Sequence, residues 1–122
     1  TKTEIDRLCA APDPAYCPYV VGLSWDREVL GRRIDARVDA MMAAGLPEET
    51  RRLAAEGVFA RNATAAQAIG YKELLRWLAG EESLAAATDR LKLATRHYAK
   101  RQMTWFRAKP YVIWMNSDAT EP

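Results

Sequence analysis

The sequence predicts an α/β protein that is mainly helical, with about four helices flanked by two strands. β-Branched and aromatic residues run together at both ends of a long middle section, as YVVGLSW over 19–25 and YVIWM over 111–115, the composition of short strands. Between these runs apolar residues recur at helical spacing, interrupted by Gly45, Gly57 and Gly80 and closed by Pro110, as in successive amphipathic helices with their stops. A chain of 122 residues that is 49% apolar and 28% charged fits one soluble domain with a modest core.

Taken in order, Thr1 to Ala11 is a short helical pattern cut off by Pro12, Pro14 and Pro18, which cannot sit in a helix interior. It reads as the tail of an element that begins upstream. After the first strand, Asp26 is placed to cap a helix and Glu28 lies near its positive end. Leu30, Ile34, Val38 and Met42 then form a buried stripe up to Gly45. Pro47 suits the first turn of a second helix, which runs through Leu53 to Gly57. Thr64 and Gln67 have the spacing of a capping box, and Ile69, Leu74, Leu75 and Leu78 carry the third helix to Gly80. Gly70 inside it costs about 1 kcal/mol relative to alanine, so either something packs against the backbone there or the helix is locally irregular. Ser83 caps the longest helix, with Leu84, Leu91, Tyr98 and Trp105 at seven-residue spacing and Lys92, Arg96, Lys100 and Arg107 on another face. Two strands alone leave backbone groups unpaired, so they must pair with each other or with a sheet from outside the fragment.

The net charge of +2 hides a division. Residues 90–109 hold Arg90, Lys92, Arg96, Lys100, Arg101, Arg107 and Lys109 with no Asp or Glu, so this segment is +7 and the remainder −5. A polyanionic partner is one reading. The other is a solvated helix face whose charges pair with acids elsewhere in the fold. Cys9, Cys17 and His97 are the only Cys and His residues, too few for a closed four-ligand zinc site within one chain. The cysteines read as reduced thiols and His97 as a surface residue. No stretch approaches the roughly 18 apolar residues of a membrane span, and TKTEIDRLCAAP is not organised as a secretory signal. A cytoplasmic protein is expected.

Three segments carry a resemblance. DREVLGRRIDARVDAMMAAGLPEE, TAAQAIGYKELLRWLAGEESLAAA and TRHYAKRQMTWFR, in this order and at these separations, resemble the carboxy-terminal region of tRNA dimethylallyltransferases, also called tRNA isopentenyltransferases. The last is the most specific, because a basic run leading into Thr-Trp-Phe-Arg has no generic helical explanation. The resemblance implies an enzyme built on a sheet like that of phosphate-loop NTPases with an inserted helical domain. Such an enzyme moves a dimethylallyl group from dimethylallyl diphosphate to the exocyclic N6 amine of the adenosine 3′ of the anticodon, with Mg²⁺. No segment here has the form G-x-x-x-x-G-K-[ST] whose amides would cradle a diphosphate. The expectation is therefore a single carboxy-terminal fragment, inactive on its own. In it, 1–18 form an upstream tail and proline-rich linker, 19–115 the matching region and 116–122 a polar tail, with the rest of the parent enzyme as a partner.

The resemblance also implies roles for particular residues. Arg33 and Arg37 match positions near the diphosphate end of the substrate channel, where permanently charged guanidinium groups can stabilise the leaving group; an ion-pair ladder with Asp35 and Asp39 is the plainer alternative. Gln67, Ala68, Ile69, Gly70, Tyr71 and Lys72 match a segment that contacts the tRNA anticodon stem-loop, although Gln67 can equally cap and Tyr71 can be core. Lys100, Arg101, Gln102, Met103, Thr104, Trp105, Phe106 and Arg107 match a second such segment. In it Lys100, Arg101 and Arg107 would hold phosphates and Gln102 or Thr104 would make polar contacts. Trp105 and Phe106 could stack on a splayed base, but a helix-end aromatic pair reads first as core, as do Trp25, Trp77 and Trp114. A stand-alone helical RNA-binding module without catalysis is the alternative, and a purely structural helical interaction domain a third.

Overall fold

The computed structural model describes residues 19–117. The helix expected over Thr1–Ala11, the proline-rich stretch, both cysteines and residues 118–122 lie outside the described residues. The two strands form where the sequence places them, β1 over Val20–Ser24 and β2 over Val112–Asn116. They pair with each other in parallel, Val20 opposite Val112 and Ser24 opposite Asn116. Gly22 permits this pairing: a Cβ there would lie 2.8 Å from ring atoms of Trp114 and from Cγ1 of Val112, so the indole occupies the space above the glycine. Val112 is buried and Val20, Ser24 and Trp114 are half-buried on one face, while Val21, Leu23, Ile113 and Met115 are exposed on the other.

Helix α1 spans Arg27–Ala43. The Asp26 carboxylate caps it, accepting hydrogen bonds from the amides of Glu28 at 2.9 Å and Val29 at 3.1 Å. Val38 is the buried centre of its apolar stripe, whereas Leu30, Ile34 and Met42 are half-buried. Helix α2 spans Leu46–Ala55, with Pro47 in its first turn. Its Thr50 is fully buried, and the hydroxyl donates to the Leu46 carbonyl at 2.8 Å, which satisfies the buried polar atom within the helix.

The third predicted helix is not continuous. Residues 58–80 instead form two single turns, α3 over Val58–Arg61 and α4 over Ala63–Ala66, followed by α5 over Tyr71–Leu78. The Thr64–Gln67 capping box does not form, because Asn62 accepts from the Ala65 amide at 3.0 Å and Gln67 already ends that turn. The break lies at Gly70, with φ 108° and ψ −65°, a conformation nearly closed to residues with a Cβ. Its amide donates to the buried Glu73 carboxylate at 2.9 Å, so α5 starts afresh with its own anchor.

Helix α6 spans Leu84–Arg107, capped by Ser83, whose hydroxyl accepts from the Ala86 amide at 3.1 Å. It is the axis of the helical body, packing on α1 along one side and on α5 along another. Leu74, Ala87 and Leu91 are completely or almost completely buried where α5 meets α6. No described helix is long and apolar enough to cross a membrane.

Candidate nucleic-acid interface

Helix α6 holds its basic residues in two different states. Toward its start, Arg90 pairs with Glu82 at 2.6 Å, Lys92 with Asp39 at 2.6 Å, and Arg96 with Asp35. Asp35 and Asp39 both belong to α1, so the acidic side of α1 is consumed by the first half of α6. The Lys92 ammonium is held above its ordinary range, chiefly by its hydrogen bond to Asp39. Lys92 and Arg96 therefore do not join Lys100 and Arg107 as a single free basic face. Here the solvated-face reading of the charge division is the one the geometry supports.

The second half of α6 differs. Among the described residues, Lys100, Arg101, Arg107 and the following Lys109 make no ion pair. Aromatic rings take the place of acids: the Arg101 guanidinium lies 5.7 Å from the Tyr98 ring and the Lys109 ammonium 4.6 Å from that of Trp105. Trp105 and Phe106 meet edge to face, with centroids 4.8 Å apart. The core reading of this pair is corrected, since Trp105 is 52% and Phe106 38% exposed. The reason is length. Helix α6 has 24 residues and α5 only 8, or about 36 Å against 12 Å of axis. The stripe that buries Ala87 and Leu91 under α5 thus continues uncovered past the end of its neighbour. Trp25, Trp77 and Trp114 are half-buried. Gln102 and Thr104 are exposed and Met103 half-buried; the Thr104 hydroxyl donates back to the Lys100 carbonyl at 3.0 Å.

Segment 67–72 divides in a similar way. Gln67, Ala68, Ile69 and Lys72 are exposed, Gly70 is buried and Tyr71 half-buried. Tyr71 is fixed to the body: its hydroxyl donates to Glu49 of α2 at 2.6 Å, and its ring meets Phe59 at 5.2 Å. The bond to Glu49 holds the phenol proton and raises its pKa. The short 79–83 connection and the contact between α5 and α6 make the two helices a hairpin. Segment 67–72, at the outer end of α5, thereby lies on the side of α6 where the uncovered stripe begins.

On α1, Arg33 and Arg37 are exposed and point away from the side that Asp35 and Asp39 present to α6, as two-residue offsets require at about 100° per residue. Those aspartates pair with Lys92 and Arg96 of α6. The Arg33 guanidinium lies 4.3 Å from the Trp25 ring. A cleft of about 460 Å³ is lined by Arg27, Glu28, Gly31, Arg32, Asp35 and Arg96; neither Arg33 nor Arg37 reaches it. Sequence reading did not single out Arg27 and Arg32, because the residue across the cleft, Arg96, comes from a helix far along the chain. Among the described residues no group of carboxylates, histidines or cysteines is arranged to hold a metal ion.

Residues 1–109 match the family described as IPP transferase. A tRNA dimethylallyltransferase of Nocardioides sp. is 52% identical over 98 residues, covering 80% of this chain and 31% of that one. The tRNA dimethylallyltransferase of Bacillus cytotoxicus is 50% identical over 101 residues, 83% of this chain and 31% of its own. The crystal structure of a tRNA delta(2)-isopentenylpyrophosphate transferase from Staphylococcus epidermidis superposes with a TM-score of 0.80 at 40% identity, over 87% of this chain and 34% of that one. The full-length tRNA isopentenylpyrophosphate transferase from Bacillus halodurans gives 0.79 at 43% identity, over 93% and 36%. The chain spans about a third of the length of these relatives and aligns with a carboxy-terminal part of them.

Proposed function

The chain belongs to the IPP transferase family, and on that premise we propose that it is the RNA-gripping carboxy-terminal part of a cytoplasmic tRNA dimethylallyltransferase. The parent enzyme transfers the dimethylallyl group of dimethylallyl diphosphate to the N6 amine of the adenosine 3′ of the anticodon. The rest of the parent supplies the phosphate loop and whatever residues hold Mg²⁺, for which the described residues offer no ligand cluster. This part supplies two exposed segments to the anticodon stem-loop, Gln67–Ala68–Ile69 with Lys72, and 100–107. Gly70 and Tyr71 shape the first of them from within. Arg33 and Arg37, both exposed on α1, serve the diphosphate side.

The observation that carries this reading is the set of basic residues left without acids at the end of α6. Among the described residues Lys100, Arg101 and Arg107 meet no carboxylate, whereas Arg90, Lys92 and Arg96 each do. Each phosphate neutralised contributes roughly 0.7 to 0.9 to the slope of log affinity against log salt. Replacing Lys100, Arg101 and Arg107 with alanine should weaken binding of an anticodon stem-loop and flatten that slope by about two. Replacing Lys92 and Arg96 should leave the slope as it is. Filter binding at several salt concentrations checks both. An unchanged slope in the triple variant would sink the assignment.

A further inference from the structure

Just ahead of the 100–107 segment the same stripe of α6 continues in Tyr98, and Lys109 follows just beyond the end of the helix. Tyr98, Arg101 and Trp105 follow at intervals of three and four on α6, close to the helical repeat, and Lys109, past the helix end, returns over Trp105, so that aromatic ring and cation alternate. Each cation lies over the ring nearest to it, 5.7 Å for Arg101 on Tyr98 and 4.6 Å for Lys109 on Trp105. Tyr98 is 47% exposed, and among the described residues no aromatic ring packs on it.

Two kinds of partner suit an exposed aromatic strip, a protein surface or unpaired bases. A protein-facing core would be depleted of charge at its centre. Here a cation follows every ring, and no described carboxylate is there to neutralise them. An unstacked nucleotide matches this alternation, because it offers a flat base to the ring and a phosphate to the cation. The cations also orient the rings before any RNA arrives, which lowers the ordering cost of binding. Tyr98 and Trp105 are separated by two turns, about 10 Å of axis. That is about three steps of a stacked strand at ~3.4 Å each, so the two rings receive bases that are not immediate neighbours.

We infer that Tyr98 is an RNA-stacking residue, and that with Lys109 it extends the RNA surface beyond the 100–107 segment at both ends, holding an unpaired base of a loop. This rests on the RNA-gripping reading above, and the test separates the two. Fluorescence anisotropy is used to titrate the chain into a labelled anticodon stem-loop and into a fully paired RNA duplex with the same number of phosphates. The variants are Tyr98→Ala, Tyr98→Phe, Tyr98→Leu and the Lys100/Arg101/Arg107 triple alanine, each with its melting temperature.

Tyr98→Ala and Tyr98→Leu should bind the loop RNA roughly 5- to 100-fold more weakly, the range for losing one stacked base. Duplex affinity and salt slope should be unchanged, and Tyr98→Phe should behave as wild type. Leucine keeps the apolar bulk, so it answers the question even if alanine unfolds the helix end. Wild-type loop affinity in Tyr98→Leu overturns the inference, and so does an equal loss for loop and duplex. If the triple variant loses RNA while Tyr98→Leu does not, the RNA-gripping reading stands and this inference falls. If neither variant loses RNA, both fall. A wild-type dimer that Tyr98→Leu dissolves without loss of RNA affinity would assign the strip to a second copy and overturn the inference as well.

Discussion

Gly70 shows how one absent methyl group directs a chain. Its φ of 108° lets the backbone turn between α4 and α5, and its amide is held by the Glu73 carboxylate at 2.9 Å. A Cβ there would touch only Leu46 Cδ2, at an unstrained 3.9 Å, so the requirement is conformational and not one of space. Gly70→Ala should destabilise the fold by about 1 to 3 kcal/mol, read as a shift of the urea midpoint without a change in slope. An alanine variant as stable as wild type would mean that the turn adapts, and that the glycine is there for something else. The sequence marks Gly70 as a helix cost and leaves open why it is paid. The answer needs Glu73 and the turn geometry, which follow from the position of α5 against α2 and α6.

At the scale of elements, the helices were legible wherever caps and stops are local. Asp26, Pro47, Ser83 and Pro110 each do what their chemistry dictates, and both strands and the long helix fall within about two residues of expectation. The expected 64–80 helix failed because Asn62, not Thr64, caps the turn over 63–66 and the chain breaks again at Gly70. Charge partners were not legible. Nothing local in Lys92 or Arg96 says that Asp39 and Asp35 will lie opposite, since that depends on how α1 and α6 are aligned. The alignment has a pH signature. Lys92 is raised above its ordinary value of 10.5, first by its hydrogen bond to Asp39. A base raised in the folded state stabilises the fold fully below its unfolded pKa, and that stability is lost as pH rises through the folded value. Tyr71, also raised, through Glu49, releases its proton on the same alkaline side, so the Lys92 contribution is best read as a difference. The stability gap between wild type and Lys92→Met, from urea unfolding, should be constant from about pH 7 to about pH 9 and close above about pH 10.5. A gap that persists in strong alkali would mean that Lys92 supports the helix pair by packing alone.

At the scale of the whole molecule, the described residues form an uneven assembly of a helical body and a parallel ribbon. Core residues Leu74, Ala87 and Leu91 lie within the body, while β1 and β2 pack chiefly on each other and leave Val21, Leu23, Ile113 and Met115 in solvent. Parallel strands ordinarily lie under cover on both faces, and a two-stranded sheet has two open edges and marginal stability by itself. The isolated chain should therefore not open as a single cooperative unit. Followed by native-state hydrogen exchange, the ribbon amides should open by a low-energy local fluctuation, while amides around Leu74 and Leu91 should exchange only with global unfolding. Equal protection in both regions would show that the ribbon belongs to the same cooperative unit as the helices. The indole of Trp114 resting in the gap left by Gly22 then becomes a built-in reporter. In a variant whose Trp25, Trp77 and Trp105 are replaced by phenylalanine, its emission should shift toward that of a solvated indole at lower denaturant than the loss of helical ellipticity, so one ring would time the parting of the strands.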